Sequence, residues 1–147
     1  MKHSEIRDEL IGQHVELRAM IKRTRGIAEA TRVGTASVAE LTDSVKKLTD
    51  AVRRHNLREE ELLRDIIPTA DAWGPMRAEV MSNEHVMEHE DLFAALLSVP
   101  NASPDKAASV VIGLLDRVIE HMNSEEVAFL SEELLRDDTV TTGHFGG

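Results

Sequence analysis

Five of the seven histidines in the chain, His14, His55, His85, His89 and His121, fall where a helix would turn its apolar side inward. Three segments carry ionisable pairs four residues apart: His55-x-x-x-Glu59, His85-x-x-x-His89 and His121-x-x-x-Glu125. That spacing presents both groups of a pair on one helix face. A lone histidine on an apolar stripe is most often a core side chain bonded to a backbone carbonyl. Seven ionisable residues in one core need more than that. Burying one unpaired charge costs at least several kcal/mol, against the roughly 5–15 kcal/mol by which a whole domain is stable. Metal ions would compensate the set. With no cysteine in the chain, thiolate sites, iron–sulfur clusters, disulfides and thiol catalysis are excluded, and any metal must be held by nitrogen and oxygen.

Imidazole with carboxylate suits iron, manganese or zinc, but zinc prefers about four ligands at one site and seven residues exceed that. Two metal ions fit better. Five histidines, two bridging carboxylates and one oxo or hydroxo bridge fill about eleven of the roughly twelve positions of two octahedral ions, leaving one for a small ligand. The chain has three Phe, one Trp and no Tyr, so the core is aliphatic and a tyrosyl radical is excluded. A formal charge of −10, from 17 basic and 27 acidic residues, argues against a nucleic-acid partner. The opening MKHSEIRDEL is charged and no apolar run approaches a membrane span. The expectation is therefore a cytoplasmic protein with no membrane partner.

The elements that must position these residues are helices. Apolar residues recur at helical spacing along nearly the whole chain, and the strong breakers are Gly34, the Pro68–Pro75 stretch and the Pro100–Pro104 stretch. Three breaks give four helices, at about 3–31, 35–67, 74–98 and 104–136, with Ser103 and Pro104 as a start signal for the last. Short connections make neighbours antiparallel, which predicts an all-α, up-down-up-down four-helix bundle over 1–137 with a metal site in its core. Residues 138–147 read as a loose tail.

The seams follow. Ile6, Leu10, His14 or its neighbour, Leu17 and Ile21 line the first helix; Val38, Leu41, Val45, Leu48, Val52, His55, Glu59, Leu62 and Ile66 the second. His85, His89, Leu92, Leu96 and Val99 line the third, and Val111, Leu114, Val118, His121, Glu125 and Ala128 the fourth. This phase selects Glu59 over Glu60 and Glu125 over Glu126, and leaves Glu60 and Glu126 to orient histidine N–H groups. His14 and His55 lie about 20 residues either side of the first break, so equal rise per residue puts them level. The last hairpin is less tidy, with His89 11 residues before Pro100 and His121 17 after Pro104.

The order His14, His55-x-x-x-Glu59, His85-x-x-x-His89, His121-x-x-x-Glu125 resembles the hemerythrin-like, or HHE cation-binding, pattern. The flanking text is similar too: His-Val-Glu-Leu-Arg at 14–18, His-Asn-Leu-Arg-Glu-Glu-Glu-Leu-Leu at 55–63 and His-Met-Asn-Ser-Glu-Glu-Val-Ala-Phe-Leu at 121–130. The match runs from about residue 5 to 135 and, as a full set, is highly specific. The resemblance implies that His85, His89 and His121 hold one iron, that His14 and His55 hold the other, and that Glu59 and Glu125 bridge. It implies dioxygen or nitric oxide at the open position of the second iron, for storage, sensing or delivery. A redox enzyme decomposing peroxide or nitric oxide in stress defence is the alternative, and iron handling or sensing a third. The closing His-x-x-x-Glu departs from the His-x-x-x-x-Asp of the oxygen carriers and puts simple reversible carriage in doubt. No histidine has a Glu three residues before it, which sets the chain apart from the Glu-x-x-His di-iron proteins.

Other residues have weaker claims. His3 and His144 read as solvated, Trp73 as a cap over the bundle end, and Met81, Met87 and Met122 as core filling near the metal level. Arg18 and Arg58 read as salt-bridge formers on helix flanks.

Overall fold

A computed structural model describes residues 1–137; the expected tail, 138–147, lies outside the described residues. Four long helices run α1 (His3–Arg32), α2 (Val38–Leu63), α4 (Gly74–Ser98) and α5 (Pro104–Ala128), with a single-turn α3 (Ile67–Ala70) before α4 and a 3-10 turn (Val99–Asn101) after it. Each long helix packs against its chain neighbours and α5 closes on α1, giving the up-down-up-down antiparallel bundle.

Local chemistry sets the breaks. α1 ends where Gly34 takes φ +84, while the Thr35 and Ala36 amides both bond the Ala30 carbonyl. A glycine reaches that left-handed geometry without a Cβ clash. Ser37 caps α2 through the Glu40 amide at 3.0 Å, and Ser103 caps α5 through the Lys106 amide, with Pro104 in the first turn. α2 stops at Leu63, earlier than the expected 67: Pro68 lacks the N–H that would bond the Arg64 carbonyl, and it falls instead in the first turn of α3. Gly74 sits against the carbonyls of Ile67 and Pro68 so closely that a Cβ would collide with them.

α5 also ends earlier than expected, at Ala128 rather than 136. The Phe129 and Leu130 amides both bond the Glu125 carbonyl, and the chain turns so that Phe129, Leu130 and Leu135 are buried. These residues, not Trp73, close that end of the bundle: Trp73 is 62% exposed. The turn is tied down where the Ser4 amide and hydroxyl donate to Asp137 and the Arg7 guanidinium donates to the Leu130 carbonyl.

The core comes in two pieces. The larger joins Leu17, Val45, Val52, Leu92, Val118, Met122 and their neighbours; the smaller joins Ile6, Leu10, Leu63, Ile67, Met81, Phe129, Leu130 and Leu135. On every long helix the chain crosses from one cluster to the other at an ionisable residue. His14 lies between Leu10 and Leu17, His55 and Glu59 between Val52 and Leu63, His85 between Met81 and Leu92, and Glu125 between Met122 and Phe129. A polar belt therefore divides the core.

Candidate metal centre

Burial sharpens what the belt contains. His14 and Glu59 are fully buried, Glu125 is 1% exposed, and His55 and His85 are also buried. His121 is half-buried, its place on the seam taken by Met122. The inner nitrogens converge. His14 Nε2 lies 3.0 Å from His55 Nε2 and 3.4 Å from Glu125 Oε1. His55 Nε2 lies 3.3 Å from Glu59 Oε2, and His85 Nε2 lies 3.1 Å from Glu59 Oε1 and 3.0 Å from Glu125 Oε2. His121 Nε2 stands 3.8 Å from Glu125 Oε2 and 3.2 Å from Glu84 Oε2.

Outer nitrogens meet a second ring of acceptors. His55 Nδ1 lies 2.7 Å from Gln13 Oε1, His85 Nδ1 3.1 Å from Glu60 Oε1, His121 Nδ1 2.7 Å from Glu88 Oε2, and His14 Nδ1 3.4 Å from Glu126 Oε1. His55, His85 and His121, held at Nδ1 with Nε2 turned inward, are arranged as metal-ligating histidines are, whereas His14 Nδ1 has no hydrogen bond. Glu60 and Glu126 thus sit where the helix phase put them.

His89 does not join this assembly. It is on the exposed side of α4, 6.5 Å from Phe93 between ring centroids, and lines a groove of about 310 Å³ between α2 and α4 that His85 also lines. The reason is helical phase. The buried series on α4 is Met81, His85, Glu88, Leu92, Ala95, with Val99 following, whereas the expected seam ran through His89 and Leu96. Both series share His85, Leu92 and Val99 and part at the positions between. Glu88, absent from the sequence reading, is buried and joins the Asn56 amide at 2.9 Å to His121. Its signal was present in the alternate three-and-four spacing from Met81. The axial mismatch of the last hairpin was a second signal: His85, 15 residues before Pro100, is nearly level with His121, and their ring centroids are 5.5 Å apart. Met81 and Met122 are buried, but Met87 is 65% exposed.

The ionisation state follows from this crowding. Burial pushes Glu59 up, and the Glu125 beside it adds to the effect. Burial would also raise Glu125, but hydrogen bonds from Glu59, His14, His55 and His85 hold it well below the usual carboxylate range. Burial alone would lower His55 and His85, yet hydrogen bonds and charge from Glu125 and Glu59 prevail and raise them to about 9 and about 11. His121 is raised as well, burial being outweighed by Glu88 and Glu125. Protons on histidines thus balance the buried carboxylates, the task a cation would otherwise perform.

Do these donors suit a metal? Glu59 Oε2, His14 Nδ1 and His121 Nε2 are buried without hydrogen-bond partners. Ligand atoms of His14, His55, Glu59 and Glu125 lie within 4.8 Å of one another, as do those of His85, His121 and Glu125. Two nitrogen or oxygen donors at right angles on one ion, each about 2.1 Å from it, stand about 3 Å apart, the separation found at His14–His55 and His85–Glu125. The donor set fits, and the two groups share Glu125.

A bundle of antiparallel helices whose core is interrupted by a buried histidine–carboxylate belt defines a helical metal-binding domain. The chain belongs to the hemerythrin family: residues 5–132 match the Hemerythrin HHE cation binding domain. No curated protein and no solved structure matches it.

Proposed function

We propose that the belt binds two iron ions, and that one open coordination position takes dioxygen or nitric oxide for storage, sensing or delivery. The observation that carries this reading is the convergence of four Nε2 atoms and two carboxylates on two adjoining donor groups joined by Glu125. His14, His55, Glu59 and Glu125 would hold one ion; His85, His121 and Glu125 would hold the other, with Glu59 Oε1 at 3.1 Å from His85 Nε2 in reach of both. The family pattern adds His89 to the second group; the geometry supports the other six. Iron held there would supply a redox-active centre able to take a small ligand.

The protein's part is to hold donors and exclude water. Gln13, Glu60 and Glu88 fix three of the rings, and the apolar clusters above and below shield the belt. A redox enzyme acting on peroxide or nitric oxide is a second reading, favoured by the carboxylates of Glu84 and Glu88 against His121. Extra carboxylate around an iron favours its ferric state.

Reduced, iron-loaded protein exposed first to dioxygen and then to peroxide separates the two readings. A stable, reversible oxygenated spectrum without oxygen evolution supports the binding protein. Rapid autoxidation followed by peroxide turnover would replace it with the enzyme.

A further inference from the structure

The four histidines of the belt are not held alike. Gln13, Glu60 and Glu88 lie 2.7, 3.1 and 2.7 Å from the outer nitrogens of His55, His85 and His121. His14 Nδ1, on a fully buried ring, has no hydrogen bond, and Glu126 Oε1 stands 3.4 Å away. Glu126 is itself gripped by the next turn of α1: Arg18 donates from Nη1 to Oε1 at 3.0 Å and from Nη2 to Oε2 at 2.7 Å, while Nη2 also donates to Asn123 Oδ1 at 2.8 Å. His14 and Arg18, which holds Glu126, are four residues apart on α1, and the ring is flanked by the consecutive Glu125 and Glu126 of α5.

We propose that Arg18 is a positioning residue of the metal centre, setting through Glu126 the orientation and donor strength of His14. This rests on the reading that the belt binds metal. An imidazole that coordinates through Nε2 carries its proton on Nδ1 and needs an acceptor there. Glu126 is the carboxylate at hand, a few tenths of an ångström beyond a good hydrogen bond. A guanidinium fork engages both carboxylate oxygens in one plane, which a lysine ammonium does not. Arg18 thereby keeps Glu126 turned toward the ring. Without it, a carboxylate whose side chain is 27% exposed is free to turn to water, leaving a buried N–H without an acceptor.

The test is zinc binding by the full chain, measured by chelator competition, with nitrogen-15 shifts of the His14 ring and thermal unfolding of the metal-free protein. Arg18→Gln should weaken zinc about 10–100-fold, the usual effect of losing an outer partner of a ligand, and move the His14 nitrogen shifts in the zinc-loaded form. Arg18→Lys should restore only part of the affinity. Glu126→Gln, which keeps the side chain's shape, should reproduce the loss even where Arg18→Gln folds poorly. Wild-type affinity and unmoved His14 shifts in folded Arg18→Gln and Glu126→Gln, with stability alone reduced, would show a clamp between α1 and α5 and overturn the proposal. Absence of zinc or iron from the wild type would instead overturn the metal reading, and this one with it.

Discussion

Glu125 is shared by both donor groups, so its replacement reaches further than that of any single histidine. Glu125→Ala should lose metal from both positions, and Glu59→Ala at least one ion, as read by metal content per chain. Retention of two irons in both variants would refute their bridging roles. His89→Ala, at an exposed position of α4, should keep full metal content. Loss of one ion there would mean that α4 turns to its other phase on loading.

Protons matter at this scale too. His55 and His85 are raised to about 9 and about 11 from an ordinary 6.5, so in metal-free protein their contribution to stability is fully present below about 6.5 and is lost as pH climbs through 9 to 11. Glu125 runs the other way: its depressed pKa contributes above the usual 4.5 and fades as pH falls. Metal requires neutral imidazoles, so affinity should keep rising with pH beyond the ordinary histidine range. Calorimetry of zinc binding at pH 7, in buffers of different ionisation enthalpy, should show at least one proton released per chain. No release would contradict the protonated belt.

At the scale of elements, the sequence carried much and its omissions have physical causes. The breaks at Gly34 and Ser103–Pro104 were legible because backbone geometry and capping demand those residue types, and the level pairing of His14 with His55 followed from rise per residue. The phase of α4 was ambiguous, because His85, Leu92 and Val99 serve either seam; burial of Glu88 and Ala95, with His89 exposed and Leu96 only partly buried, marks the phase adopted. The end of α5 carries no breaker, and its early stop reflects burial of Phe129, Leu130 and Leu135, a tertiary effect. Gly74 supplies a prediction here. Gly74→Ala, forcing a Cβ into the carbonyls of Ile67 and Pro68, should destabilise by about 1–3 kcal/mol, read as a lower denaturant midpoint. An unchanged midpoint would mean that the α3–α4 corner yields easily.

For the whole molecule, two apolar clusters are joined through a belt of buried histidines and carboxylates. No described helix is long and apolar enough to cross a membrane. The helices bury their apolar faces against one another in the two clusters. A cation that binds the folded chain and not the unfolded one raises stability by mass action, by about 2.7 kcal/mol at a hundredfold excess over its dissociation constant. Loading should therefore raise the unfolding temperature, and chelator should reverse it.

The most direct test of the central claim is iron content per chain after anaerobic loading and removal of loose metal, for wild type and Glu125→Ala side by side. Two irons per wild-type chain and none retained by the variant are predicted. One zinc and no iron in the wild type, or two irons in the variant, would contradict it.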